Sequence, residues 1–189
     1  MMTGEEYKKS LDDGRAVYLE GKRIENLSEH PIFKIPIDIA AKLYDDSYVA
    51  GDGQVRDTIK TIRTPEDLRE HSLKMEKADL LLEVTSASLM TLLTAAGRME
   101  DKLPENAKRI RNYVDQAQKR DIRIAQCITD GKGDRSKRPS QQEDPDAYTR
   151  VVERQPGGVV IRGAKLHITA ASICHELLTI PTKAMKPGE

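Results

Sequence analysis

The chain has 189 residues, and its 31 lysines and arginines balance its 31 aspartates and glutamates. This zero net charge gives no basic field for nucleic acid. No apolar run reaches the length of a membrane-spanning helix, and the polar first ten residues do not resemble a signal peptide. Cys127 and Cys174 are isolated, so we predict neither a disulfide framework nor a metal site. The composition predicts a soluble, helix-rich cytoplasmic protein.

The first 121 residues predict a helical domain. Thr3 can cap a short helix that ends at Gly14, and residues 16–24 predict a small hairpin. From Ile32 to Tyr44, apolar residues recur at helical spacing, namely Ile35, Ile39, Ala40 and Leu43. The pattern predicts a second helix there.

A strong helix start follows at Thr64, which can cap the helix. A proline occupies the first helical position, and the acidic residue Asp67 comes three residues after the cap. The helix is predicted to continue to about Gly97. Its part from Leu80 to Ala96 is apolar nearly all round, which is typical of a helix enclosed by others. A further helix is predicted over residues 106–119.

Residues 122–189 predict short strands instead of helices. A strand from Ile122 to Ile128 is followed by a turn with two glycines, and a hairpin is predicted across Pro156-Gly157-Gly158. We therefore predict two domains, with residues 1–121 helical and residues 122–189 forming the first part of a β-domain.

The turn Thr129-Asp130-Gly131-Lys132-Gly133-Asp134-Arg135-Ser136 is the first candidate binding element. A glycine-rich turn can aim backbone N–H groups and cationic side chains at an anionic or ring-shaped ligand. Further on, Thr169 is expected to end a strand beside two small alanines, where a flat ligand could approach the backbone. From spacing alone, an ordinary charged turn followed by a hairpin stays open as the alternative.

This stretch resembles the flavin-binding region of the 4-hydroxyphenylacetate 3-hydroxylase family, which includes the 4-hydroxybutyryl-CoA dehydratases. The similar residues are Thr129-Asp130, Lys132-Gly133-Asp134-Arg135, Pro139-Ser140, Asp144-Pro145-Asp146, Val152-Glu153, Arg162-Gly163-Ala164-Lys165, His167, Thr169, His175-Glu176, Pro181-Thr182 and Ala184-Met185. A second block near the start, including Thr3-Gly4-Glu5-Glu6-Tyr7, is also similar. The resemblance implies an α+β fold, with an N-terminal helical domain and an incomplete antiparallel β-domain, similar to acyl-CoA dehydrogenases.

The resemblance also implies a site for FAD. Carried over residue by residue, Lys132, Gly133, Asp134 and Arg135 would bind FAD from one side, and Thr169 would hydrogen-bond near its ring. Thr129 and Asp130 are weaker candidates next to them. In the hydroxylases, reduced FAD arrives from a separate flavin reductase and reacts with oxygen, and the product hydroxylates a phenol.

The long helix departs from both branches of the family. Two cysteines that hold an iron–sulfur cluster in the dehydratases fall at Ser86 and Met90, which cannot replace thiolate ligands. The substrate-binding Arg and Tyr of the hydroxylases fall near Thr91 and Ala95, and an associated His falls at Gln126. Thr91 and Gln126 therefore remain the substrate candidates, and no catalytic residue is assigned.

The histidines leave open interpretations. His71 is expected to be solvated on the polar part of the long helix. His167 and His175 flank Thr169, and either one of them contacts flavin or substrate, or they are packed strand histidines.

Three functions follow as hypotheses. The leading one is the N-terminal part of an FAD-dependent monooxygenase that acts on a small-molecule phenol. The second is a flavin enzyme that acts on an acyl-CoA, as a dehydratase or isomerase without the iron–sulfur cluster. The third is a non-catalytic fragment or subunit, because family members are much longer. A homo-oligomer or a C-terminal partner chain is expected to cover the exposed strand edges.

Overall fold

The computed structural model describes residues 1–76 and 80–186, without the side chains of residues 80–83. Its helices are α1 (Gly4–Ser10), α2 (Pro31–Asp46), α3 (Pro65–Met75), α4 (Leu80–Met99) and α5 (Pro104–Lys119). Its strands are β1 (Tyr18–Leu19), β2 (Lys22–Arg23), β3 (Ile124–Cys127), β4 (Arg150–Gln155), β5 (Gly158–Arg162) and β6 (Glu176–Thr179). The strands pair as β1–β2, β3–β6 and β4–β5. The α+β class is confirmed.

The described chain divides into two units. The first unit contains Met1–Ala125 and Ala170–Glu176, and the second contains Gln126–Thr169 and the residues from Leu177 onward. The second unit is thus interrupted by a short segment that belongs to the first. The sequence-based division at residues 121 and 122 stays a prediction about domains.

Two helices begin at the threonine caps that the sequence predicts. The Thr3 hydroxyl accepts the Glu6 N–H at 3.2 Å, and the Glu6 carboxylate accepts the Thr3 N–H at 2.7 Å. Thr64 and Asp67 form the same reciprocal box at the start of α3. Because each box satisfies two otherwise unpaired N–H groups, both helix starts are fixed locally.

The prediction of one helix from Thr64 to Gly97 is wrong. Helix α3 ends at Met75, α4 begins at Leu80, and residues 77–79 lie outside the described part of the chain. The predicted enclosure of α4 is also wrong from residue 84 onward. Ser86 and Leu89 are buried, but Thr91 and Thr94 are exposed. Helix α4 packs against α5 on one side, so apolar composition overstated how much of it is covered.

Two stacked tyrosines lie at the centre of the core of the first unit. The rings of Tyr7 and Tyr44 are 4.8 Å apart between centroids and nearly parallel. Among the neighbouring residues of α2, Ile37 is buried, whereas Ile35 is 64% exposed and Ile39 is 48% exposed. The spacing of apolar residues thus predicted the helix, but these two isoleucines are not in the core.

The second unit contains the predicted hairpin. Strands β4 and β5 are antiparallel, and Gln155 pairs with Gly158, which leaves Pro156-Gly157 as a two-residue turn. None of the helices in the described residues has the length and apolar character needed to cross a membrane.

Candidate functional site

The glycine turn after β3 is fixed at its base by backbone pairing in the second unit. The carbonyl of Thr129 accepts the N–H of Leu166 at 2.9 Å, and Asp130 forms an antiparallel bridge with Lys165. The chain is therefore held where it leaves β3. Residues 131–135 project from this anchored point.

This turn lines a recess of about 210 Å³. The lining residues are Thr129, Asp130, Gly131, Lys132, Gly133, Arg135, Tyr148, Thr182 and Lys183. Five of the seven residues predicted to bind cofactor are among them, and Asp134 and Thr169 are not. The predicted roles of these residues remain predictions, but the fold brings five of them to one surface.

The wall of the recess is cationic. Lys132 and Arg135 are exposed, and neither forms an ion pair with any residue that the structure describes. The Lys183 ammonium lies 5.6 Å from the centroid of the Tyr148 ring. The one carboxylate in the lining, Asp130, is paired with Lys165. The unpaired charges that face a ligand here are thus positive.

The lack of a side chain at Gly133 allows close packing within the turn. A Cβ atom there would lie 3.3 Å from the Tyr148 ring and would clash with the Gln142 side chain. The Gln142 amide oxygen accepts the backbone N–H of Asp134 at 2.8 Å. At least this N–H group is therefore used inside the protein rather than aimed at a ligand.

Asp134 folds back on its own turn. Its carboxylate accepts the Ser136 hydroxyl at 2.6 Å and the Ser136 N–H at 2.9 Å. These hydrogen bonds, the one from the hydroxyl first, lower the pKa of Asp134. The carboxylate is thus engaged with Ser136 and is not part of the recess.

Thr169 does not end a strand, contrary to the prediction. It is exposed in a turn between His167 and the short 3₁₀ segment Ala171–Ile173. His167 has φ 54° and Ala170 has φ 62°. Left-handed backbone at both positions is incompatible with a continuing strand, and the sequence offered no glycine to signal it.

The positions where the long helix departs from its family have different surroundings. Ser86 is buried, and its hydroxyl lies 3.0 Å from Nε2 of His71. The prediction that His71 is solvated is wrong, because it is half-buried and burial lowers its pKa. Thr91 is exposed in the first unit, and Gln126 is half-buried in the second. The structure does not assign either one to a substrate pocket.

His175 is a packed histidine in the first unit. Its Nδ1 atom accepts the backbone N–H of Arg123 at 2.8 Å. Nε2 therefore carries the proton in the neutral ring and donates to the Ser10 hydroxyl at 2.8 Å. With both nitrogens used inside the protein, His175 is not available to a ligand.

Three residues that line the recess outside the glycine turn were missed by the sequence reasoning, namely Tyr148, Thr182 and Lys183. Thr182 is one of the family-like residues and so had a signal in the resemblance, whereas Tyr148 only follows the family-like segment Asp144-Pro145-Asp146. Lys183 had no signal of its own, although the residues on both sides of it are family-like. No group of three metal-binding side chains occurs in the part of the chain that the structure describes.

Comparison with known proteins identifies relatives of the two predicted kinds. The chain is 32% identical to the 4-hydroxybutyryl-CoA dehydratase/vinylacetyl-CoA-Delta-isomerase of Clostridium aminobutyricum, over 100% of this chain and 43% of that protein. It is 24% identical to the 4-hydroxyphenylacetate 3-monooxygenase oxygenase component of Geobacillus sp. (strain PA-9), over 97% of this chain and 41% of that protein. The chain thus spans about two fifths of the length of these relatives.

Solved structures of both kinds share the fold. An oxygen-tolerant archaeal 4-hydroxybutyryl-CoA dehydratase from N. maritimus has a TM-score of 0.79 and 27% identity, over 97% of this chain and 40% of that one. The oxygenase component of 4-hydroxyphenylacetate 3-monooxygenase complexed with FAD has a TM-score of 0.77 and 24% identity, over 97% of this chain and 42% of that one. The family model described as 4-hydroxyphenylacetate 3-hydroxylase N terminal matches residues 3–189. The chain belongs to the 4-hydroxyphenylacetate 3-hydroxylase family and corresponds to its N-terminal region.

Proposed function

We propose that this chain forms part of an FAD-dependent monooxygenase and that its recess binds part of FAD. The observation that carries the proposal is the gathering of Thr129, Lys132 and Arg135 around one cationic recess. The related oxygenase component in a solved structure is complexed with FAD. The pyrophosphate of FAD is anionic, so unpaired lysine and arginine side chains suit it.

The recess fits a portion of FAD and not the whole molecule. Its volume of about 210 Å³ is below the roughly 300–1,000 Å³ of pockets that enclose drug-sized ligands. Other segments must therefore contact the remainder of the cofactor. In this arrangement Lys132 and Arg135 bind the anionic groups, and Tyr148 and Thr182 shape the opposite wall.

The proposed reaction is the hydroxylation of a small phenol. Bound reduced FAD would supply the oxygen chemistry, and this chain would orient the cofactor and exclude water around it. The relatives are named as oxygenase components, which implies that another component, a flavin reductase, supplies reduced flavin. We include such a reductase among the proposed partners.

A second candidate function is a flavin-dependent reaction on an acyl-CoA. It is favoured by the identity of 32% to the dehydratase/isomerase, compared with 24% to the Geobacillus oxygenase component. Ser86 and Met90 do not fit the iron–sulfur cluster that the resemblance would place there. A serine hydroxyl hydrogen-bonded to His71 and a thioether are poor substitutes for two thiolates.

The exposed hairpin favours further contacts in the working protein. Strands β4 and β5 form a two-stranded sheet, and their residues Val151, Val159 and Ile161 are exposed. Two-stranded sheets are marginally stable alone, so we propose that a second copy or another polypeptide segment covers this surface. If this chain cannot hold FAD without that cover, it is the non-catalytic subunit of the third hypothesis.

FAD titration of the purified chain tests the proposal. We expect saturable binding, followed by flavin fluorescence, with Arg135→Ala weakening it about tenfold through loss of a charge-assisted hydrogen bond. Arg154→Ala is the matched control, because Arg154 is an exposed arginine of the same unit that does not line the recess. Equal weakening by both substitutions, or no effect of either, would remove the recess as the FAD site.

The two reaction classes are separated by what reoxidises the bound flavin. We expect reduced FAD in the monooxygenase to be reoxidised by oxygen, and the rate to respond to added phenol. In the acyl-CoA alternative, an enoyl-CoA thioester would take up the two electrons of the reduced flavin in place of oxygen. If the rate of flavin reoxidation depends on the concentration of the CoA thioester and not on oxygen, the acyl-CoA reaction becomes the leading candidate.

A further inference from the structure

Lys165 is an almost fully buried lysine in the second unit, and all three of its ammonium donors have acceptors. Its Nζ atom lies 2.5 Å from Oδ1 of Asp130, 2.7 Å from the Ile180 carbonyl and 3.1 Å from the Ile128 carbonyl. Its side chain is 9% exposed. An ammonium group has three donors and lysine is rarely buried without partners, so this side chain is fully committed to internal contacts.

These contacts join three separate segments at the base of the recess. Ile128 lies just after β3, Ile180 lies just after β6, and Lys165 itself follows β5. Thr129 and Thr182, the near neighbours of the two carbonyl groups, stand in the lining of the recess. One side chain therefore fixes both walls of the recess relative to each other.

The same contacts remove the only negative charge from the lining. One oxygen of the Asp130 carboxylate accepts from Lys165, and the other accepts from the Thr182 hydroxyl. The Asp130 side chain is 9% exposed. With Asp130 paired in this way, Lys132, Arg135 and Lys183 determine the charge that a ligand meets.

We propose that Lys165 is a positioning residue of the recess, which holds Asp130 out of ligand contact and makes the recess selective for anionic groups. The inference rests on the proposed function, because the anionic ligand is FAD. It assigns Asp130 a role different from the direct cofactor contact suggested by resemblance. Asp130 anchors the turn through Lys165 and Thr182, and the neighbouring cations bind the ligand.

Neutralising the two charges, first one and then both, distinguishes this role from a merely structural ion pair. In Lys165→Met, the Asp130 carboxylate is unpaired and faces the ligand, so we expect FAD to bind about tenfold more weakly at low salt. The loss should shrink at high ionic strength, because salt screens exposed charges. The double variant Lys165→Met/Asp130→Asn should recover most of the affinity, since the repelling charge is gone.

The titration therefore compares four proteins at two salt concentrations: the wild type, the single variant, the double variant and Lys22→Met. Lys22 is an exposed lysine of β2 that lies outside the recess. A double variant that binds FAD as weakly as Lys165→Met, or a loss that is independent of salt, overturns the proposal. If Lys165→Met does not fold, Asp130→Asn decides. Tighter FAD binding by Asp130→Asn supports the proposal, and unchanged or weaker binding overturns it.

A second measurement separates failure of the inference from failure of the proposed function. If the wild type binds no FAD, the proposed function fails for this chain. The backbone amide NMR spectrum of Lys165→Met then tests the inference without any ligand. Shifts concentrated at Thr129, residues 131–135 and Thr182 support the positioning role, and unchanged signals for both walls overturn it.

Discussion

His175 and Arg123 are joined by a hydrogen bond in which Nδ1 of the imidazole accepts the backbone N–H at 2.8 Å. This geometry requires the neutral ring with its proton on Nε2, because a protonated Nδ1 cannot accept a hydrogen bond. Burial, together with the positive charges of Arg15 and Arg123, lowers the pKa of His175 to about 4. Protonation of His175 therefore breaks the hydrogen bond from Arg123 and disturbs the contact between His175 and Ser10 of α1.

The first prediction is a loss of stability in mild acid that depends on His175. Its pKa is about 4 in the folded state, below the ordinary 6.5. The unfolded chain therefore binds more protons between pH 6.5 and 4. The contribution to stability is complete above pH 6.5 and falls by on the order of 3 kcal/mol as the pH drops to 4. Urea unfolding at several pH values measures it.

Two glutamine variants test this prediction, His175→Gln directly and His167→Gln as a control at an exposed histidine of the second unit. His175→Gln keeps an acceptor and a donor but does not titrate, so its unfolding free energy should vary less between pH 4 and 6.5 than that of the wild type. His167→Gln should keep the wild-type pH dependence. A His175→Gln curve that parallels the wild type throughout this window would contradict the prediction.

The second prediction concerns the buried ion pair between Arg56 and Asp121. The Arg56 guanidinium donates to both carboxylate oxygens, at 2.7 and 3.0 Å, and its side chain is 2% exposed. Asp121→Asn would leave the buried guanidinium without its counter-charge, and we expect a loss of about 3–5 kcal/mol in unfolding free energy. Asparagine tolerates the φ of 54° at this position, so backbone strain does not confuse the result.

A surface ion pair provides the comparison. Arg69 and Glu66 pair at 3.1 Å on α3, and both side chains are largely exposed. Glu66→Gln should therefore change the unfolding free energy by less than about 1 kcal/mol. Equal effects of the buried and the surface substitution in urea denaturation would show that Arg56 is compensated in another way.

Local sequence signals predicted the parts of the fold that local physics determines. The caps at Thr3 and Thr64 follow from side chains that satisfy backbone groups nearby. The hairpin predicted across Pro156-Gly157-Gly158 follows from the backbone preferences of proline and glycine. The face of α2 that is buried was not predictable in this way. Ile35 and Ile39 fit the helical spacing but are exposed, since burial depends on which partner packs against the helix.

The candidate site shows the same division between local and long-range determinants. The glycine turn was visible because its glycines and charged residues lie within eight consecutive positions, most of which also match the family. The partners of Asp130 were not visible, because Lys165 and Thr182 are separated from it by 35 and 52 residues. His175 was ambiguous for a similar reason. Its partner Ser10 lies 165 positions away along the chain.

The third prediction concerns the reactivity of Cys127. This thiol is buried, and burial raises its pKa. Thiolate is the reactive form, so in the Cys174→Ser variant we expect the folded protein to react with a thiol reagent at pH 8 about 100-fold more slowly than the unfolded chain. The same variant in concentrated urea provides the reference rate. Comparable rates in both conditions would mean that the segment around β3 opens readily.

The fourth prediction concerns Gly163, whose φ of 151° and close packing require glycine. A Cβ atom there would lie 2.6 Å from the Thr149 nitrogen and 2.8 Å from the Tyr148 carbonyl carbon. Backbone cannot yield as a flexible side chain does, so Gly163→Ala should cost about 2 kcal/mol or more. The measurement is the thermal midpoint of unfolding, followed by circular dichroism.

Gly157→Ala is the matched substitution for this last prediction. Gly157 lies in the turn between β4 and β5, and a Cβ atom there would meet nothing within 4 Å. Its thermal midpoint should stay close to that of the wild type, since neither a clash nor a left-handed φ opposes alanine. Because Gly163 lies two residues before Lys165, Gly163→Ala should also weaken FAD binding, whereas Gly157→Ala should not. Loss of FAD binding in Gly157→Ala alone would place the ligand at the hairpin tip instead of the recess.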